Sequence, residues 1–322
     1  MADSSFTPAW WCRNPHAQTI LGSLRPAPRV PLTRVRWELP DGDFLDVDEL
    51  AAAEAAPRLI VLHGLESSSR SAAVLGLLQQ AQRRGWGGTA VNFRGCGGEP
   101  NRLRRSYHGG DTQDLAWVLS KVHAAHPRSA LGCAGISLGG NVLLKYLGEQ
   151  GEALPPAIHA AVSLSAPVDL AASVRALGRG VSRVYQDRLV MNLKRKTLEK
   201  LARFPDLVDR AALQRVETLA AFDDLVTGPV HGFANAAAYW AASSAAPFLA
   251  RIHRPTLLIN AEDDPFFPSE ALPRAAIAGN PALTSCFTAA GGHIGFLGAG
   301  GLGAVRCWAE TRAAEFLAAH LR

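Results

Sequence analysis

Short, unbroken apolar runs recur along this chain, separated by stretches whose apolar positions recur at helical spacing. PRLIVLHG holds such a run at 59–62, and GTAVNF (88–93), ALGCAG (130–135), AIHAAVSLSA (157–166), PTLLIN (255–260) and LTSCFT (283–288) repeat it. Runs of this length and purity are the mark of strands buried on both faces, as in parallel sheets. Between them, 71–84, 112–124 and 141–150 read as helices, the second opened by Asp111 with Asp114 three residues later, and an amphipathic helix over 303–321 ends the chain. Near the start, LTRVRWEL (32–39) and FLDVDEL (44–50) flank PDGD, where Asp41–Gly42 is a hairpin turn signal.

Strands alternating with helices predict an α/β fold, a mostly parallel sheet covered by helices on both faces, with the hairpin as an antiparallel edge. One interval breaks the rhythm. Roughly 85 residues separate the fourth parallel strand from PTLLIN, far more than a crossover helix needs. Its helical pattern predicts a cap over one end of the sheet, spanning 171–250 and inserted into a single domain, 1–322.

Composition narrows the class. Of 322 residues 48% are hydrophobic and 19% charged, the range of a soluble globular protein. The N-terminus lacks the basic region and apolar run of a signal peptide, and no window is apolar enough to span a bilayer. The five cysteines are scattered and form no C-x-x-C, so free thiols in the cytoplasm are expected, without metal or cofactor. A formal charge of +5 comes with no nucleic-acid-binding module, and no nucleic-acid partner is expected.

The chemistry enters at GCAGISLGGNVL (132–143), where Ser137 stands between Gly135 and Gly139. With 30 glycines, G-x-S-x-G arises by chance about 0.2 times in such a chain, so context decides. Here the motif follows a buried strand and precedes a helix, the setting of a nucleophile on a sharp turn. A serine needs a base and the base an orienting carboxylate, in the chain order Ser, acid, His for this architecture. The loops AEDDPFFP, after PTLLIN, and AAGGHIGF, after LTSCFT, leave the same sheet edge and supply Asp264 and His293. Asp264 is preferred because Pro265 follows it and Pro268 lies four residues on; Asp263 and Asp169 are the rivals. The amides of Leu138, after the nucleophile, and Leu65, in HGLESSS, are the expected oxyanion donors. His63 is expected to brace that loop.

These residues carry a family resemblance. NPHAQTI (14–20), HGLESSSRS (63–71), NFRGCGGEPNRLRRSYHGGDTQDL (92–115), GISLGGNVLLKYLGE (135–149), SAPVDL (165–170), FDDLVTGPVHGF (222–233), INAEDDPFFP (259–268) and GGHIGF (291–296) resemble the YheT-like hydrolases, a branch of the α/β-hydrolase-4 family. The resemblance implies an α/β-hydrolase fold with a helical lid, a triad of Ser137, Asp264 and His293, and action on carboxylic esters of acyl chains, monoacylglycerols among them. Ser67 stands where glycine is usual and Ile136 where phenylalanine is usual. Acyl transfer to an alcohol by the same triad, and a non-catalytic binding role on the same fold, are the alternative functions.

Other features have plainer readings. Arg94, Gly95, Cys96 and Glu99 are expected to serve turn chemistry and an ion pair, and His16 a structural contact. GAGGLG (298–303) matches a dinucleotide fingerprint but lacks a following βαβ unit, so a loose glycine loop is expected. Residues 175–215 carry eleven basic side chains against four acidic. Solvated surface explains this, and with Trp10 and Trp11 it leaves room for weak peripheral membrane contact.

Overall fold

The computed structural model describes residues 6–299 and 305–321. Eight strands form one sheet: β1 (Leu32–Glu38), β2 (Phe44–Leu50), β3 (Arg58–Leu62), β4 (Gly87–Val91), β5 (Leu131–Ile136), β6 (Ile158–Leu164), β7 (Thr256–Ala261) and β8 (Leu283–Thr288). Their order is β1-β2-β4-β3-β5-β6-β7-β8. The β1–β2 hairpin is antiparallel and joins β4 in antiparallel fashion; every pairing from β4 to β8 is parallel.

The helices named first are α1 (Pro15–Leu24), α2 (Ala72–Arg83), α3 (Thr112–Ala125) and α4 (Leu138–Gln150). Six more lie between β6 and β7: α5 (Leu170–Leu177), α6 (Arg183–Leu201), α7 (Arg210–Arg215), α8 (Leu219–Phe222), α9 (Gly228–Val230) and α10 (Ala236–Ser243). Beyond β7 come α11 (Arg274–Ala278) and α12 (Trp308–His320).

The continuous apolar strands are explained by two cores, one on each face of the sheet. Along β3, Ile60 and Leu62 join α3 and α4 on one face, while Leu59 and Val61 join α2 and α12 on the other. The helical segment between β6 and β7 has its own apolar cluster, with Leu177, Val190, Leu213, Leu219 and Phe222 buried in it. The chain runs from β3 outward to β4, then crosses back to β5, so the loops after β3 and β5 leave the sheet where the strand order reverses. Ligands bind there in open α/β sheets.

Several boundaries differ from expectation. Helix α4 begins at Leu138, directly after the turn, rather than at 141. Asn92 and Phe93 lie beyond β4. The terminal helix starts at Trp308, because residues before it form a short ladder: β9 (Leu297–Ala299) pairs antiparallel with β10 (Val305–Cys307). The expected loose loop at 298–303 is therefore strand at its start, and its residues 300–303 lie outside the described ones. Helix α1 is new; Asn14 caps it by accepting from the amides of His16 and Ala17, with Pro15 at its first position.

Candidate active site

The site is built from the ends of β3, β5, β7 and β8. Ser137 follows β5 with φ 51° and ψ −121°, a conformation that non-glycine residues avoid. Among the described residues four other non-glycine ones have positive φ: Glu66, Ser165, Ile294 and Phe296, all on loops at this edge. Backbone strain concentrated in one place is typical of functional sites. The flanking glycines have a measurable reason. A Cβ at Gly135 would lie 2.4 Å from the Gly139 carbonyl oxygen, and one at Gly139 would lie 2.5 Å from that of His63. Strand and helix meet too closely for any side chain.

Ser137, His293 and Asp264 come together. His293 Nε2 lies 2.9 Å from Ser137 Oγ, and Nδ1 lies 2.8 Å from Asp264 Oδ2. All three residues are buried. The carboxylate accepts from Nδ1–H, which leaves Nε2 as the acceptor for the serine hydroxyl. Asp264 also accepts the Phe266 amide at 2.7 Å through its other oxygen, which fixes the carboxylate plane. The rival acids have separate duties: Asp263 accepts the Gly292 amide at 2.8 Å, and Asp169 caps α5 through the Ala172 amide.

The loop after β3 lies against the nucleophile. A Cβ at Gly64 would sit 3.1 Å from Ser137 Cβ. Leu138 is the first residue of α4, where amides have no intrahelical acceptor. Leu65 and Leu138 both line the same cavity as Ser137 and His293, which has a volume of about 700 Å³. Its walls include Leu170, Val174 and Leu177 from α5, Leu189 and Leu193 from α6, and Phe222 from α8.

His63 braces the loop, as expected. Its Nδ1 donates to the Gly64 carbonyl at 2.7 Å, and Nε2 accepts the Phe93 amide at 3.1 Å. This pattern demands a neutral ring, and burial lowers its pKa to about 4. Burial likewise lowers that of His108 to about 3 and pushes His231 downward. Below the ordinary value near 6.5 the unfolded chain therefore binds protons that the folded one refuses, so stability falls as pH drops from 6.5 toward 4. Buried Asp223, raised to about 6, opposes this between pH 6 and its ordinary 3.8. Each unit of difference is worth about 1.4 kcal/mol. Asp114 and Asp263, also raised by burial, oppose the fall too, whereas lowered His126 and the depressed Asp43 and Asp48 add to it. His63 and His108 are displaced furthest, so the urea midpoint should be lower at pH 4.5 than at pH 7.5; equal midpoints would refute the neutral, buried assignment.

Several supporting residues, most of them inside the segments that carry the family resemblance, have roles that the local sequence does not announce. Thr19 Oγ1 accepts the His293 amide at 2.9 Å, and Ser165 Oγ accepts the Ile294 amide at 3.1 Å. Helix α1 thus props the histidine loop, and the NPH segment is structural, His16 stacking on Tyr185. The Phe266 ring lies parallel to His293 at 4.0 Å between centroids. Glu66, beside Leu65, donates its amide to Tyr107 Oη at 2.8 Å and accepts the Tyr107 hydroxyl at 2.9 Å. Lys196 of α6 donates to the same carboxylate at 3.0 Å.

The residues around Arg94 tie the loop together, and Arg94, Gly95, Cys96 and Glu99 also line the cavity wall. Buried Arg94 donates twice to Asp114 at 2.7 Å and once to Asp43 at 3.0 Å, and Glu99 pairs with Arg36. Burial pushes the Cys96 thiol up to about 11, which removes its thiolate at neutral pH. Among the described residues, no three His, Cys, Asp or Glu side chains gather as a metal site, and no helix is long and apolar enough to cross a membrane.

Comparison with known proteins gives the family. Residues 57–299 match the family model described as the alpha/beta hydrolase fold. The chain is 40% identical to the Escherichia coli protein named "Putative esterase YheT", over 99% of this chain and 95% of that one. It is 31% identical to a monoacylglycerol lipase of Saccharomyces cerevisiae, over 78% of this chain and 57% of that one. Among solved structures, the Pyrococcus furiosus esterase Pf2001 superposes with a TM-score of 0.59 at 16% identity, covering 99% of this chain and all of that one, a likeness of fold. The chain belongs to the alpha/beta hydrolase fold family, on the branch that holds YheT.

Proposed function

We propose that this protein is a serine hydrolase of carboxylic esters, acting on short- to medium-chain acyl esters or monoacylglycerol-like lipids. The observation that carries the reading is the unbroken chain of hydrogen bonds Ser137–His293–Asp264 at the wall of a largely apolar cavity. Ser137 Oγ attacks the ester carbonyl carbon as its proton passes to His293 Nε2. The resulting oxyanion accepts from the Leu65 and Leu138 amides. The intermediate collapses, and the leaving alkoxide takes the proton from His293. Water, deprotonated by the same ring, then releases the acid and restores Ser137. Asp264 keeps the imidazole oriented and stabilises its charged form.

In this reading residues 171–250 act as the cap of a single domain, roofing the acyl pocket. The names of relatives support the substrate class: one is called an esterase and one a monoacylglycerol lipase. All five cysteines are free, which supports a reducing compartment such as the cytoplasm. Hydrolysis of p-nitrophenyl esters from C2 to C16 tests the proposal. Turnover with a medium-chain optimum, lost in Ser137→Ala, is expected; equal rates in the two proteins would refute it.

Lys196 and Glu66 have a place in the same mechanism. The Glu66 side chain is only 2% exposed and adjoins the oxyanion donor Leu65. Without Lys196 its negative charge would stand uncompensated where the transition state also becomes negative. Lys196→Met should lower kcat about tenfold or more with little change in KM, and Glu66→Gln in the same protein should restore most of the loss. No recovery in the double variant would show that the pair acts through packing alone.

A further inference from the structure

Large exposed apolar side chains on a soluble surface are normally scattered singly. Here they gather. Among the described residues they are Trp10, Trp11, Ile20, Leu21, Leu24, Val181, Val184 and Met191, exposed by 41% to 78%. All fall in two segments, the stretch through α1 and the start of α6. The segments touch: His16 stacks on Tyr185 at 5.8 Å, with Nδ1 3.1 Å from its hydroxyl oxygen. Ile20 and Leu24 share one face of α1, and Val184 and Met191 share one face of α6, by their spacing. Ile20 and Leu24, though exposed, also line the cavity, as do Arg188 and Leu189 of α6. Ile20 and Leu24 therefore stand at the cavity mouth, and Val184 and Met191, outside the cavity, share by their spacing the face of α6 that carries Arg188.

The charge on these two segments is mainly positive. Arg13, Arg179, Arg183 and Arg188 are exposed, and among the described residues none lies within ion-pair distance of a carboxylate. Asp187 is the one acidic residue from 179 to 195, and Arg195 is paired with Glu199 of the next turn. An apolar patch at the cavity mouth, with two exposed tryptophans just before α1 in the chain and unpaired guanidinium groups, is the complement of a bilayer surface bearing anionic headgroups. A protein partner of matching shape would have to supply both an apolar surface and several carboxylates.

We infer that this patch docks the enzyme on an anionic bilayer, with the cavity mouth facing the lipid, so that an acyl ester passes from membrane to pocket. The inference extends the proposed ester hydrolysis to membrane-borne substrate, but its test needs no turnover. Full-length Ser137→Ala protein is sedimented with phosphatidylcholine vesicles with or without phosphatidylglycerol. Pelleting is expected with phosphatidylglycerol and not with phosphatidylcholine alone, and it should weaken with added salt. Val184→Ser with Met191→Ser should weaken the partition about tenfold, since each loses apolar contact with the lipid. In the active protein the same pair of changes should leave turnover of a water-soluble short ester unchanged. No pelleting with phosphatidylglycerol, or pelleting that ignores the double variant, would overturn the inference. A dimer in light scattering that the double variant dissociates, without vesicle binding, would overturn it in favour of a second copy.

Discussion

Ser137→Ala should lower kcat/KM for any ester substrate by a factor on the order of 10⁵–10⁶, and His293→Ala by a similar factor. The two residues form one device. Ser137 Oγ has a hydrogen-bond partner in His293 Nε2 at 2.9 Å, and without that acceptor the hydroxyl keeps its proton and attacks poorly. Without the hydroxyl the base has nothing to activate. The double variant should therefore be no slower than either single one. Residual turnover in each would come from the Leu65 and Leu138 amides and from binding in the cavity. Ser137→Ala should unfold at nearly the wild-type temperature, because the strained turn at 137 is held by Gly135 and Gly139 and tolerates alanine as it tolerates serine. A loss of less than about tenfold would mean that another group carries the reaction.

Asp264→Asn should cost about 10⁴ in kcat while leaving the fold intact. The amide can keep the contact to Nδ1 by donating its own N–H, but this forces the proton onto Nε2. The ring then offers Ser137 a donor where it needs an acceptor. Asp263→Asn is the matched control. Its carboxylate accepts the Gly292 amide at 2.8 Å, a bond that the asparagine carbonyl can also accept, so kcat should fall no more than a few fold. Steady-state kinetics on one p-nitrophenyl ester decide the matter. Equal losses in the two variants would remove the special role of Asp264.

The sequence made the strands and the reacting residues legible for physical reasons. Strands such as Leu59–Leu62 are buried on both faces, so their apolar runs are unbroken. Gly135 and Gly139 are forced by a backbone approach that admits no Cβ. The order of loops at one sheet edge then leaves few places for base and acid. What stayed hidden depends on contacts distant in sequence. Thr19 supports His293 across 274 positions, and Lys196 meets Glu66 across 130. Glu66, Ser165, Ile294 and Phe296 adopt positive φ without being glycine, so the local sequence gives no warning of their strain. Helix α1 lies outside the strand–helix alternation, so its start signals Asn14 and Pro15 stand alone in the sequence, and its packing against the histidine loop, with Gly22 close to Gly295, is tertiary.

Treatment of the folded wild-type protein with a fluorophosphonate, followed by peptide mapping, shows whether Ser137 is an activated nucleophile. A single covalent adduct is expected on the peptide bearing Ser137, absent from Ser137→Ala and strongly slowed in His293→Ala. A folded protein that stays unlabelled, or that carries the adduct on another residue, would contradict the proposed mechanism.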